Sequence, residues 1–313
     1  MLIIPIPRLE ALVNREGTTP KRSIADLLDA SVQYWALAPA VLLFLFLTIY
    51  PMLNILRMSV SRIDFAKGEF VWTFTGLQNL QTFTQDWIFQ TALRNTLVFV
   101  VAAVITEMTL GLALALLASQ IPQAKGVYRT IMVLPILVPA VAIGSMWRLM
   151  YNYDFGIFNM ALVALGLTPQ AWLGDPKLAM PAVIAVDMWH WVPFVFLILL
   201  AGLESMPVEV LEAASVDGAN GWQRLWRVIL PMTWPTFSVA LMFRTIFAFK
   251  VFDEIFLLTS GGPGTATEVV SLYIYKLFFG ENRLGYGALL SVLTILIVCV
   301  FVVFYRRVRA GGN

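Results

Sequence analysis

Six long apolar runs separated by polar segments constrain this 313-residue chain more than any other feature. Each run is about 20 residues or longer, the length that an α-helix needs to cross the hydrocarbon core of a bilayer. Because backbone polar groups in lipid must be satisfied within the segment, the runs predict an all-α membrane protein with six transmembrane helices. The predicted spans are residues 35–57, 92–118, 130–152, 180–203, 236–258 and 285–305.

Composition supports a chain that uses the bilayer as its solvent. Hydrophobic residues make up 59% and charged residues 13%, a balance that a soluble domain cannot bury. The net charge of +2 gives no electrostatic basis for binding nucleic acid. The single cysteine, Cys299, lies in an apolar run, and no His/Cys cluster has metal-ligand spacing. We therefore expect neither a disulfide framework nor a metal site.

Basic residues predict the orientation, because cytoplasmic segments of membrane proteins are enriched in Lys and Arg. With the N-terminus inside, the inner segments hold 11 basic residues and the outer loops hold 5. The sequence thus predicts two cytoplasmic tails, residues 1–34 and 306–313, around a transmembrane domain at 35–305. It also places the polar segment 204–235, called the island below, on the cytoplasmic side.

The island is predicted to form two short helices joined at a glycine. Gly218 stands where a helix commonly ends, and Asn220 can cap a second helix with Gln223 three residues later, as in a capping box. Pro231 is expected to end that second helix. On these features alone, the island is equally well interpreted as an ordinary amphipathic loop between membrane helices.

The island also contains a sequence motif with a specific spacing. Glu212-Ala213-Ala214 is followed after three residues by Gly218, and nine residues later by Val228-Ile229-Leu230-Pro231. This spacing resembles the EAA loop of permease subunits of binding-protein-dependent ABC importers, with Val228 in place of the usual isoleucine.

The resemblance extends from about residue 36 to residue 305. Gly76-Leu77-Gln78-Asn79 and the segments 243–253 and 258–263 are similar to those of carbohydrate permeases of the maltose and glycerol-phosphate kind. Phe247 stands where relatives often carry an acidic residue. The resemblance implies the type I ABC importer permease fold and a role as one permease of a sugar importer in the bacterial inner membrane.

Partners are likewise implied by the resemblance. They are a second homologous permease in a heterodimer, two ATPase subunits and an extracellular solute-binding protein. The island would be the coupling helix that docks on the ATPase. The residues assigned to that contact are Glu212, Ala213, Ala214, Asp217, Gly218 and Ala219.

The sequence offers little basis for an enzyme. No Gly-Lys dipeptide occurs, so a Walker A loop is absent, and His190 is the only histidine. We expect a non-catalytic subunit without a cofactor of its own, with Mg-ATP on the partner ATPase.

The alternative to an importer subunit is a secondary carrier or channel for a small polar solute. A carrier would be expected to show inverted repeats, and the island pattern has no second copy.

Ionisable residues within the spans are costly and suggest specific roles. At about 1.5 Å per residue, Glu107 and Arg244 lie roughly 22 and 21 Å from the outer ends of their spans. We therefore predict a structural ion pair between them.

The candidate substrate path has two parts. One is a group of aromatic and polar residues in the fourth span, whose tryptophans could equally pack against lipid or other helices. The other, implied by the resemblance, is one face of the fifth span. This path comprises Asp187, Trp189, His190, Trp191, Arg244, Ala248, Val251, Phe252 and Asp253.

Overall fold

The computed structural model describes residues 24–66, 68–121, 123 and 125–310. Residues 1–23 of the predicted N-terminal tail and 311–313 of the C-terminal tail lie outside the described residues, as does Lys67. The chain divides into two compact units, one up to Asn54 and one from Ile55 onward. The first unit contains most of helix α1, in which the rings of Phe46 and Tyr50 stack at 5.4 Å.

Helices dominate the described part of the chain, with one small sheet and two π-helical segments, Leu225–Ile229 and Lys276–Gly280. The elements in order are α1 Ile24–Ser59, β1 Ser61–Ala66, β2 Glu69–Phe74, α2 Gln78–Thr84, α3 Trp87–Ser119, α4 Lys125–Leu137, α5 Ala140–Met150, α6 Ile157–Ala164, α7 Ala179–Glu204, α8 Val208–Val216, α9 Gly221–Arg224, α10 Leu230–Phe249, α11 Asp253–Leu258, α12 Val270–Tyr275 and α13 Leu284–Ala310.

Within the described ranges, four helices are long and apolar enough to cross a membrane: Ala36–Ser59, Trp87–Ser119, Ala179–Glu204 and Leu284–Val303. A fifth crossing would be the pair α4 and α5, which meet at an angle of 93°. The bend follows from Pro139, which takes an extended conformation before α5 and has no N–H to continue the ladder of α4. The span predicted at 130–152 is thus broken in two, and the count of six stays a prediction.

The span predicted at 236–258 begins earlier and is also interrupted. Helix α9 passes through the first π-helical segment directly into α10, so the expectation that Pro231 ends the helix is wrong. Pro231 occupies the first turn of α10, where a proline N–H is not required. Helix α10 ends at Phe249 and α11 begins at Asp253. Four polar residues of α10 are buried: Thr233, Ser238, Arg244 and Thr245.

Three of the segments between the predicted spans contain regular secondary structure. The segment 58–91 contains an antiparallel hairpin, in which Ser61 pairs with Phe74 and Ala66 with Glu69. The alternating aromatic and branched residues of β2 favour a strand, and Gly68 at φ +86° provides the turn. The segments 153–178 and 259–283, predicted as loops, contain α6 and α12 respectively.

The core forms where α3 and α7 pack against each other and α10 packs on both. Gly111 allows this close approach, since a Cβ there would lie 2.6 Å from Val195. Helix α11 packs on α5 at Gly144, where a Cβ would lie 2.5 Å from Leu257. The polar groups described next are therefore held on packed helices rather than on loops.

Candidate functional site

Three ionisable side chains meet in the interior, one from each of α3, α7 and α10. We call Glu107, Asp187 and Arg244 the charged junction; each is at most 1% exposed. The Arg244 guanidinium donates to both oxygens of Glu107, with Nη2 and Oε1 at 2.9 Å, and also to Oδ2 of Asp187. The predicted contact between Glu107 and Arg244 is thus present. Asp187, which the sequence assigned to the substrate path, belongs to the same cluster.

Next to the charged junction, two half-buried residues of α7 contact α10 and α11. The Arg244 guanidinium carbon lies 5.3 Å from the centre of the Trp191 ring, within the range of a cation–π contact. Phe247 stacks on the same ring at 5.2 Å. His190 Nδ1 lies 3.4 Å from Glu254 Oε1. Phe247 is therefore part of an aromatic stack beside the charged junction.

The other predicted path residues on α10 and α11 differ in accessibility. Ala248 and Val251 are buried, and the Val251 carbonyl accepts a hydrogen bond from Ser271. Phe252 is half-buried and stacks on Phe256 at 5.3 Å, while Asp253 is exposed. In this arrangement a solute could reach Phe252 and Asp253 but not the side chains of Ala248 and Val251, so the role of this face stays a prediction.

Trp189 lies on a different side of α7 from Trp191. Its ring packs on Trp147 at 5.8 Å, and both line an apolar groove of about 590 Å³. This groove is not among the features predicted from the sequence, although Trp147 and Tyr151 are four residues apart and so fall on one helical face. The aromatic wall consists of Trp147, Tyr151, Phe158, Trp172 and Trp189.

Around Gly218 and Asn220, the island has the local geometry that its sequence predicts. Helix α8 stops before Gly218, which takes φ +76°, and the Ala219 N–H donates to the Ala214 carbonyl at 3.0 Å. Asn220 and Gln223 exchange side-chain and backbone hydrogen bonds, each at 2.9 Å. The helix stop and the capping box are therefore confirmed.

Little of the island is buried within this chain. Among the described residues of α8, α9 and the first π-helical segment, none is buried. Glu212, Ala213, Asp217 and Gly218 are exposed, while Ala214 and Ala219 are half-buried. Trp222 is 69% exposed, so apolar surface is available as well. Exposed apolar surface beside polar residues is typical of a contact with another protein or with the membrane.

An ion-pair network joins the entrance of the island to α4. Glu204, the last residue of α7, lies 3.0 Å from Lys125 Nζ and 2.5 Å from Arg129 Nη2. Within the island, Arg224 donates to the Ser215 hydroxyl at 3.1 Å and so ties α9 to α8. In the described ranges, no group of three or more His, Cys, Asp or Glu residues could hold a metal ion.

Comparisons with known proteins agree on one family. Residues 107–310 match the family model described as "Binding-protein-dependent transport system inner membrane component". The trehalose/maltose transport system permease protein MalF of Thermococcus litoralis is 36% identical over 281 residues, covering 90% of this chain and 94% of that protein. The sulfoquinovosyl glycerol transport system permease protein SmoG of Agrobacterium fabrum is 32% identical over 285 residues, covering 91% and 92%.

A solved structure gives the same result for the fold. This is a bacterial ABC transporter involved in the import of the acidic polysaccharide alginate, with a TM-score of 0.79 and 25% identity over 91% of this chain and 97% of that chain. The matched family region contains both the charged junction and the island. The chain is therefore a multi-pass membrane protein with an ABC importer permease fold, and it belongs to the family of inner membrane components of binding-protein-dependent transport systems.

Proposed function

We propose that this chain is a permease subunit of an ATP-driven importer and forms half of the translocation path for a sugar or sugar derivative. The observation that carries the proposal is the exposed helix–glycine–helix island between α7 and α10, two helices that meet again at the charged junction. The family match over residues 107–310 includes both features. An extracellular binding protein delivers the solute, as the binding-protein-dependent family description supports.

The island couples the chain to a separate ATPase. Since α8 has no buried residue, packing within this chain contributes little to holding it, and short helices are marginal without such packing. A docked ATPase supplies that packing through the exposed residues from Glu212 to Gly218. Motion of the island is then passed along α7 and α10 toward the charged junction. ATP hydrolysis, with Mg-ATP, resides on the partner and not on this chain.

The assembly contains a second homologous permease, two ATPase subunits and the binding protein, and it resides in the bacterial cytoplasmic membrane. Both termini and the island are cytoplasmic, and α10 with α11 forms one of six crossings.

Single cysteines at positions 73, 264 and 223, placed in a Cys299→Ala chain, test this orientation. An impermeant thiol reagent should label positions 73 and 264 in intact cells, and labelling of position 223 would contradict it.

The solute is a sugar or sugar derivative because the relatives are named for such compounds, including trehalose/maltose and sulfoquinovosyl glycerol. His190, Trp191 and Phe252 are the proposed contacts. They are half-buried beside α10 and α11, where aromatic faces can pack on the C–H faces of a sugar ring while a polar group binds its hydroxyls. Trp189 and the aromatic groove, on another side of α7, offer a separate aromatic surface.

Charge reversal at the island tests the coupling. In the assembled transporter in proteoliposomes, Glu212→Lys should reduce ATP hydrolysis stimulated by the loaded binding protein while leaving the amount of inserted chain unchanged. Gly218→Val should act similarly through the backbone, because a β-branched residue resists positive φ. Asp154→Lys makes the same reversal at an exposed residue outside the island and is the matched control. Full stimulation with both island variants would show that the island is only a connector.

A further inference from the structure

The charged junction contains more negative than positive groups. Two carboxyl groups, Glu107 and Asp187, face one guanidinium, and all three side chains are at most 2% exposed. Glu254 on α11 is a further acidic residue near the junction and lies beside His190 of α7. If both carboxyl groups were ionised, the junction would carry an uncompensated negative charge in the membrane interior.

Such a charge is unfavourable for two reasons. An ion out of reach of water loses its hydration, and Arg244 can compensate only one of the two carboxylates. The carboxyl groups of Glu107 and Asp187 also lie close together, because both accept from the same nitrogen, Nη2 of Arg244. Two carboxyl groups at that separation share a proton, because like charges so close cannot both be ionised.

We propose that the charged junction binds one proton at neutral pH, carried by Asp187 and donated to Glu107, so that the three groups together are electrically neutral.

The hydrogen-bond pattern decides which carboxyl group carries the proton. Glu107 accepts from two nitrogens of Arg244, Nε and Nη2, one at each oxygen. This fork is the arrangement in which an ionised carboxylate binds a guanidinium most strongly. Asp187 accepts from the guanidinium through Oδ2 alone. Its other oxygen is therefore the one that holds the proton.

The proton makes the contact between three helices sensitive to pH. Its loss at alkaline pH leaves a negative charge at the point where α3, α7 and α10 meet, and the contact between them weakens. Among the described residues, the charged or titratable groups at or beside this point are Arg244 on α10, Asp187 and His190 on α7, Glu107 on α3 and Glu254 on α11. The inference concerns this junction alone and stands whatever solute the chain carries.

Infrared spectroscopy tests the proposal on the full chain, purified with its accompanying subunits in lipid nanodiscs at neutral pH. The C=O stretching band of a protonated carboxyl group should be present and should shift in D₂O. It should shift with ¹³C-labelled aspartate and be absent in Asp187→Asn. The absence of an aspartate-derived band, or its persistence in Asp187→Asn, would overturn the proposal. Because isotope labelling uses the unmodified chain, the test does not depend on the variant folding.

Thermal unfolding gives an independent comparison of the two carboxyl groups. Asp187→Asn reproduces the protonated shape and should unfold at the wild-type temperature at neutral pH. It should also lose the decline in unfolding temperature that wild type shows as the pH becomes alkaline. Glu107→Gln removes the ionised partner of Arg244 and should lower the unfolding temperature clearly. Equal destabilisation by the two variants would contradict the assignment of the proton to Asp187.

Discussion

The charged junction and the island lie on the same two helices, α7 and α10, but their polar groups are satisfied in opposite ways. At the junction, buried side chains of one chain satisfy one another. In the island, helices without a buried residue are held by local caps and present their charges outward. The contrast teaches that the chain completes the interactions of the junction by itself, whereas its own packing leaves the groups of the island exposed.

Glycines show the same contrast. Gly111 is required by packing, because a Cβ would lie 2.6 Å from the Val195 side chain. Gly218 is required by backbone conformation, since it has φ +76° with nothing within 4 Å of an added Cβ. Substitution at Gly111 therefore disturbs the contact between helices, whereas substitution at Gly218 disturbs only the local turn.

The largest effect is expected from breaking the junction at Arg244. Arg244→Gln leaves two buried carboxyl groups without a cation and should lower the free energy of unfolding by about 3–5 kcal/mol. Thermal or denaturant unfolding in detergent measures it. The double variant Glu107→Gln/Arg244→Gln should recover part of the loss, because the unpaired carboxylate is removed as well.

A surface ion pair is the control for this comparison. Arg283 lies 3.5 Å from Glu281, with both side chains more than 40% exposed. Arg283→Gln should cost at most about 1 kcal/mol, because exposed pairs contribute little. Equal losses at Arg244 and Arg283 would mean that the junction does not hold the helices. If Arg244→Gln lost transport but kept normal stability, we would conclude that Arg244 belongs to the substrate path.

Gly111→Ala should have the second largest effect. The added methyl group would overlap Val195 between α3 and α7, and overpacking of this kind costs about 1–3 kcal/mol. Val195→Ala in the same chain should relieve part of the overlap, as measured by unfolding temperature. Gly126→Ala is the matched control, since Gly126 lies in α4 with nothing within 4 Å of an added Cβ. A neutral Gly111→Ala would contradict the tight contact.

Much of the junction and island could be predicted from the sequence. Glu107 and Arg244 reach similar depth by helical rise alone, and a lone charge at that depth demands a partner. The cap of Asn220 and the stop at Gly218 depend on neighbouring residues, so they too can be read locally. Such features depend on distances along one helix or turn.

Features that depend on several helices could not be predicted in the same way. Asp187 was assigned to the substrate path because it lies beside Trp189, His190 and Trp191. Its partner, Arg244, is 57 residues away. The position of Trp189 opposite Trp191 likewise depends on how α7 is rotated against α5 and α10. Pro231 was expected to end a helix, because the sequence alone does not show that α10 starts one residue before it.

Asp86, which is half-buried at the N-terminal end of α3, combines a local cap with contacts to other helices. It caps α3 by accepting from the Phe89 N–H at 3.0 Å, and it accepts from the hydroxyls of Tyr286 at 2.5 Å and Tyr273 at 2.8 Å. Burial raises the pKa of Asp86, but the hydrogen bonds from Tyr286, Phe89 and Tyr273 outweigh burial, so its pKa lies below the usual value. The cap thus ties α3 to α12 and α13.

Asp86→Asn should lower the free energy of unfolding by about 1 kcal/mol at neutral pH, because a charge-assisted acceptor is lost. The contribution of the carboxylate is fully present above the usual aspartate pKa and disappears as pH falls through the lowered pKa. The difference in unfolding temperature between wild type and Asp86→Asn should therefore shrink at acid pH. A difference that is constant or grows on acidification would contradict the assigned role.

The smallest effect on stability is expected at Asn220, the cap residue of the island. Its substitution distinguishes the island from the charged junction most clearly. Asn220→Ala removes the acceptor for the Gln223 N–H and should cost only roughly 0.5 kcal/mol, the lower end of the range for such caps, because the segment is exposed. Asn220→Asp keeps that acceptor and is the matched control.

Coupling should respond to Asn220→Ala more than stability does. If the island is completed by an ATPase, a frayed second helix presents a poorly formed surface, and stimulated ATP hydrolysis should fall while the unfolding temperature barely changes. Both quantities can be measured on the same proteoliposome preparation, with Asn220→Asp close to wild type in each. A drop in unfolding temperature as large as that of Gly111→Ala would mean that packing within this chain stabilises the island. The contrast with the charged junction would then fail.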